Sequence, residues 1–242
     1  MTGLDGRTVL ITGAAGALGA ATAGAFRAAG ARLALLDIDS DALAAACGAE
    51  GPQQALLQAD LMDRAAMVEA AAATIARFGG IDVLCNIAGG FHMGEPVHET
   101  PAEIWRRMID LNAGSLLNAC HAAVPHMIAG GGGRIVNVAA MAAGAGAAEM
   151  GAYAAAKSAV VRLTESMAAE LATHRIAANC VLPATMDTPA NRTAMPDGDP
   201  GEWTAPDAVA DLILFLASPA ARAVQGAAVA AAAPSAMAAA RA

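Results

Sequence analysis

The chain has 242 residues, a length that an open α/β sheet reaches as one domain. Apolar residues make up 57% but aromatics only 3%, so small side chains suited to close packing set the balance, and no run approaches the roughly 20 apolar residues of a membrane-spanning helix. A net charge of −8 without a basic cluster disfavours nucleic acid and anionic membrane surfaces, which leaves a small-molecule substrate or a second copy of the chain as partner.

The opening stretch runs straight into a strand pattern without the basic and apolar regions of a secretory signal, which predicts a cytoplasmic chain. Thr8 to Ile11, Arg32 to Leu36, Ala55 to Gln58, Ile81 to Cys85, Arg134 to Val138 and Ile176 to Leu182 read as strands. Most are too apolar to have a wet face, which suits a parallel sheet covered on both sides. Helix patterns lie between and after them, at 18–29, 63–78, 101–128, 152–172 and 206–217. Gly30 follows the first of these, Thr100 and Pro101 read as an N-cap and first-turn proline, and Thr204 to Asp207 resembles a capping box. The succession predicts an α/β fold, one doubly wound domain over 1–242, with ligands at the carboxyl ends of its strands. The proline-rich stretch 183–202 is long for a plain connection and is expected to be a substrate-side lid. From Ala227 the tail allows a last strand and then fraying. Cys47, Cys85, Cys120 and Cys180 lack CxxC spacing, so free thiols and no metal are expected.

After the first strand, Thr12 to Gly19 form a glycine-rich turn that leads directly into a helix. Glycines at 13, 16 and 19 let the chain turn tightly and let backbone N–H groups approach a pyrophosphate at the helix N-terminus. The alternative is a plain tight turn. Asp37 ends the second strand, 18 residues after Gly19. A carboxylate there can accept hydrogen bonds from adenosine ribose hydroxyls and repels a 2′-phosphate, and no Arg stands at 38 or 39 to hold that phosphate, so NAD is expected over NADP. Asp60, past the third strand, is placed either to meet the adenine or to cap a helix.

One tyrosine and one lysine occur in the chain, and they are Tyr153 and Lys157. Four residues apart on a helix, they share a face. A cation beside a phenol stabilises phenolate, which suits a general acid/base working near neutrality. Since every other basic side chain except histidine is Arg, the lone Lys suggests a chemical need for a compact ammonium.

In order and spacing, the glycine-rich turn, Asp60, Asn86-Ile87-Ala88-Gly89, Asn112, Tyr153-Ala-Ala-Ala-Lys157 and Pro183 through Thr188 resemble the short-chain dehydrogenase/reductase family over nearly the whole chain. The resemblance implies a Rossmann domain with a mostly parallel seven-stranded sheet. It implies Tyr153 as acid/base, Lys157 on the nicotinamide ribose and depressing the tyrosine pKa, and Asn112 holding a relay water through its main chain. It places the cofactor against Gly13, Ala15, Gly16, Ala17, Leu18, Gly19, Asp37, Ile38, Asp60, Leu61, Asn86, Ala88, Gly89, Tyr153, Lys157, Pro183, Met186 and Thr188, with Thr188 on the carboxamide. It also implies a homotetramer or homodimer built by helix pairing.

Departures bear on function. The family serine falls 13 residues before the tyrosine, where this chain has Ala140. His92, Glu149, a backbone amide or water are the candidate substitutes, and with Ala140 and Met141 these side chains make the expected substrate side. Dihydropteridine reductases are similar in keeping Tyr and Lys without the serine. Ala17 stands where the common pattern has its middle glycine, which looks like the epimerase branch, and Ala184 replaces the glycine that usually follows Pro183. Three readings follow: an NAD(H)-dependent oxidoreductase of a small, mostly apolar carbonyl, alcohol or C=N compound; a sugar-nucleotide epimerase or dehydratase; or a non-catalytic NAD-binding or assembly protein.

Overall fold

The computed structural model describes residues 3–233. Seven strands form one sheet in the order β3-β2-β1-β4-β5-β6-β7: β1 (Thr8–Thr12), β2 (Arg32–Asp37), β3 (Gln54–Gln58), β4 (Val83–Asn86), β5 (Gly133–Val138), β6 (Ile176–Pro183) and β7 (Ala228–Ala231). Every neighbouring pair is parallel, so the sheet is wholly rather than mostly parallel. The helices are α1 (Ala17–Ala28), α2 (Ser40–Cys47), α3 (Arg64–Phe78), α4 (Ala102–Ile109), α5 (Ser115–Ala129), α6 (Gly151–Leu171), α7 (Pro189–Ala194) and α8 (Pro206–Ala217).

Alternation along each strand feeds two cores. Leu10, Leu36, Leu84, Ile135 and Cys180 pack with α3, α5 and α6 on one face, while Val9, Leu35, Val83, Val136 and Val181 pack with α1, α2 and α8 on the other. Both faces are dry, which is why the strands read as unbroken apolar runs. All four cysteines are free and buried. Among the described residues no helix is long and apolar enough to cross a membrane.

Several local expectations are corrected. α2 carries no strong sequence pattern because only Leu43 and Cys47 are buried; it forms because Asp39 caps it, accepting from the Asp41 and Ala42 N–H groups. The helix read at 101–128 is two helices joined by a π turn at Asp110–Gly114. Pro101, not Thr100, is the N-cap of α4, and the Thr100 hydroxyl donates to the Pro96 carbonyl. No capping box forms at α8: its N-cap is Ala205, and the Thr204 hydroxyl accepts from the Ala233 N–H. The stretch 183–202 is not wholly irregular, since it contains α7 and a 3₁₀ turn at Pro200–Glu202. Its two ends are tied together: Thr204 N–H donates to Thr185 O at 2.8 Å and Asp187 N–H to Thr204 O at 2.9 Å. The expected last strand is β7; the fraying expected beyond it lies outside the described residues.

In this strand order the chain leaves β1 toward β2 on one side and toward β4 on the other, which opens a crevice at the carboxyl ends of β1 and β4.

Candidate active site

Thr12 ends β1 at that crevice, and its hydroxyl accepts from the Ile87 N–H at 3.1 Å, joining the first turn to the loop after β4. Gly13 follows with φ of 67°, and a Cβ on it would lie 2.8 Å from the Ala88 Cα. A Cβ on Gly19 would collide with the Gly13 carbonyl, so the first turn of α1 folds directly over the turn that precedes it. Gly16 is the N-cap of α1 and brings no side chain to its N–H groups. A bare helix N-terminus under a close-packed glycine turn is a cradle for a pyrophosphate, and these residues fit a dinucleotide.

Asp37 ends β2 beside this turn. Its Oδ2 accepts from the Ala15 N–H at 3.0 Å and its Oδ1 from the Ile38 N–H at 2.8 Å. Ile38 is exposed and Leu61 buried. The Asp60 carboxylate accepts from the Met62 N–H, while Asp63 is the residue that caps α3. Asp60 is thus not the residue that caps α3.

At the other side of the crevice, α6 delivers Tyr153 and Lys157. Lys157 is only 5% exposed, and its Nζ donates to the Val138 carbonyl at 3.1 Å, not to a carboxylate. Burial pulls its ammonium down from the usual lysine range to about 8. Its Nζ lies 5.9 Å from the centre of the Tyr153 ring. Burial also pushes the Tyr153 phenol above its ordinary value, so in this state desolvation outweighs the lowering expected from Lys157.

Asn112 is buried within the π turn, a feature often found at functional sites. Its amide donates to Met108 O at 2.9 Å and Gly90 O at 3.1 Å and accepts from Gly90 N–H at 3.2 Å. A Cβ at Gly89 would stand 2.6 Å from Asn112 Oδ1 and 2.9 Å from Lys157 Nζ, so both polar groups converge over its bare Cα. Asn86 is buried farther in, donating to Asn137 Oδ1 at 2.8 Å.

Ala140 follows β5 in extended conformation and is buried, before the 3₁₀ turn that begins at Met141. Glu149 is exposed, in the left-handed region at φ of 62°, with its carbonyl accepting from Gly94 N–H. His92 Nε2 lies 2.7 Å from Glu95 Oε2. Phe91 meets Tyr153 edge-on at 4.9 Å. Pro183 closes β6; Met186 O accepts from the Asn191 amide; the Thr188 hydroxyl caps α7 by accepting from the Asn191 N–H. Thr12, Glu95 and the Val138 carbonyl were not singled out by sequence reasoning. A strand-end threonine before the glycine turn was the one available signal; the other two depend on tertiary placement.

A family model described as short chain dehydrogenase matches residues 7–198. Sorbitol dehydrogenase of Cereibacter sphaeroides is 38% identical over 185 residues, 76% of this chain and 72% of that relative. D-threitol dehydrogenase of Mycolicibacterium smegmatis is 35% identical over 236 residues, 93% of this chain and 90% of that relative. Among solved structures, 3-ketoacyl-(acyl-carrier-protein) reductase from Brucella melitensis complexed with NADH superposes with a TM-score of 0.85 at 29% identity, covering 94% of this chain and 97% of that one.

Proposed function

This chain belongs to the short-chain dehydrogenase family, and from that premise we propose that it is an NAD(H)-dependent oxidoreductase of a small, uncharged, mostly apolar carbonyl or alcohol, with Tyr153 as acid/base. The family and its relatives support the coarser reading, an alcohol or carbonyl oxidoreductase with a nicotinamide cofactor. The observation that carries the finer one is Lys157. An ammonium buried without a carboxylate costs the fold several kcal/mol, and a purely structural lysine would reach water or an acid. Such a cost is characteristic of a functional site.

The cofactor would be held by the glycine turn, the N-terminus of α1, Asp37, the loop through Gly89 and Lys157. When bound, its nicotinamide accepts or supplies hydride. Tyr153 donates a proton to the substrate oxygen in reduction and takes it back in oxidation. Because burial keeps the phenol protonated at neutral pH, alcohol oxidation should rise with alkaline pH as phenolate forms. Lys157 holds the ribose and lowers the cost of that phenolate. Asn112 orders the loop at Gly90 through its side chain, which leaves its main chain in the π turn for a relay water. Asp37 favours NAD over NADP.

Phe91, Met93 and Met195 stand 58%, 48% and 40% exposed on the loop after β4 and on the lid, which supports an apolar substrate. The lid cation Arg192 is engaged by both Asp187 oxygens, at 2.6 and 2.8 Å, and so is not free to clamp an anion. Assembly with further copies is supported by α5, whose Leu117, His121, Val124 and Ile128 follow Gly114 at heptad spacing on one face. Light scattering at micromolar concentration should give a dimer or tetramer; a monomer counts against it.

The decisive assay follows NADH oxidation over cyclic ketones, cyclic imines and quinonoid dihydropterin, with Tyr153→Phe as control. Turnover that disappears in the variant is expected. NADH binding with no turnover anywhere in the panel would instead favour a non-catalytic cofactor-binding protein.

A further inference from the structure

Ala140 offers the substrate oxygen no hydroxyl, and Ala143 through Ala148 are all alanine or glycine. The loop 91–97 lies against the start of α6, fastened in place at three points. The Phe91 ring packs edge-on against Tyr153 at 4.9 Å. Gly94 N–H donates to the Glu149 carbonyl at 3.0 Å. Val97 presses on Gly151, where a Cβ would lie 2.6 Å from its Cγ2.

Within this loop His92 Nε2 is 2.7 Å from Glu95 Oε2, with side chains 29% and 36% exposed. A solvated His–Glu pair on a free loop would have little consequence. This one directly follows Phe91, whose ring meets Tyr153 edge-on. An ionised carboxylate only accepts, so Nε2 carries the hydrogen and Nδ1 is left for a partner outside the pair.

We propose that His92, oriented by Glu95, supplies at Nδ1 the hydrogen bond to the substrate oxygen that Ala140 cannot make; this rests on the oxidoreductase reading above. In both directions the ring, held at Nε2 by Glu95, donates from Nδ1 to the substrate oxygen, because the single O–H hydrogen of an alcohol points to Tyr153. His92 orients the oxygen while Tyr153 moves the proton.

The test uses the full chain, NADH and whichever ketone of the panel above turns over fastest. His92→Ala and His92→Gln should each lower kcat by about 10²-fold, the usual effect of removing one such donor, with NADH affinity and melting temperature unchanged. Ala140→Ser should then restore at least about tenfold in the His92→Ala background while adding much less to wild type, because the two donors serve one oxygen. In ¹⁵N spectra, Glu95→Gln should change which His92 ring nitrogen is protonated. Three results overturn the proposal: kcat of both His92 variants within about twofold of wild type, an equal factor from Ala140→Ser in both backgrounds, or ring nitrogen shifts indifferent to Glu95→Gln. Turnover that needs Tyr153 but ignores His92 overturns this assignment alone, whereas a wild type inactive across the panel overturns the oxidoreductase reading and this assignment with it.

Discussion

Where β1 meets β2, the turn is already ordered: the Ala15 and Ile38 N–H groups both close onto Asp37, and the glycines at 13 and 19 leave no room for a side chain. Where β5 meets α6, polar groups are instead buried. Lys157 is sealed from water with a single carbonyl as partner, the Tyr153 phenol is desolvated, and Ala140 brings no donor. The first region is a finished platform and the second carries a destabilising load. Changes to the platform should therefore register in cofactor affinity and in folding, while changes to the second region should register in rate and can even raise stability.

The largest effect is expected at Tyr153. On the proposed reading, replacing it with Phe removes the proton donor and leaves the platform intact, so kcat should fall by about 10³-fold, within the range for loss of a general acid, while NADH binds within about twofold of wild type by fluorescence titration. Equal losses in affinity and rate would erase the contrast between the two regions.

Lys157→Met follows. The ammonium is drawn down to about 8, so between that pH and the ordinary lysine value the folded chain binds fewer protons than the unfolded one. Stability thus rises as pH climbs through this window, and below it the penalty is fully present, amounting to about 3 kcal/mol. At pH 7 the variant should be more stable than wild type by up to about that amount in chemical denaturation, the gain shrinking toward pH 10, even as activity is lost. A destabilised variant at pH 7 would mean that the packing of the lysine stem outweighs the buried charge.

The platform should show the reverse at Gly19. Gly19→Ala forces a Cβ into the Gly13 carbonyl, and overpacking of this kind costs about 1 to 3 kcal/mol. Lower melting temperature and weaker NADH binding should appear together, and either one without the other would separate the fold of the turn from its use.

These two regions were legible in the sequence for different reasons. The strands showed themselves because a sheet buried on both faces demands unbroken apolar runs, and the glycine turn because glycine at fixed spacing is a steric requirement. Tyr153 and Lys157 stood out by rarity. What stayed hidden depends on long-range contacts. The π turn at Asp110–Gly114 leaves helical periodicity almost unmarked and accompanies hydrogen bonds between Asn112 and Gly90, far apart in the chain. Thr204 carries the pattern of a cap, but its hydroxyl is taken by Ala233. The pairing of His92 with Glu95 needs a loop whose course passes through Gly94 at φ of 149° and is tied to Glu149, and no local signal announces it.

The smallest effect, and the one that probes the platform most finely, is at Asp37. Its carboxylate accepts N–H groups from Ala15 and Ile38, which shapes the turn, and on the proposed reading it also presents negative charge where a 2′-phosphate would lie. Wild type should bind NADH at least about tenfold tighter than NADPH, a difference of about 1.4 kcal/mol. Asp37→Asn keeps an oxygen for one of the N–H groups but removes the charge, so the preference should collapse toward unity mainly through tighter NADPH binding, with the melting temperature little changed. Asp37→Ala also removes the acceptor, so it should lose NADH affinity and some stability as well. If both variants keep the wild-type ratio of dissociation constants, Asp37 organises the turn without selecting the cofactor, and selection must reside in the neighbouring main chain at Ile38 and Asp39.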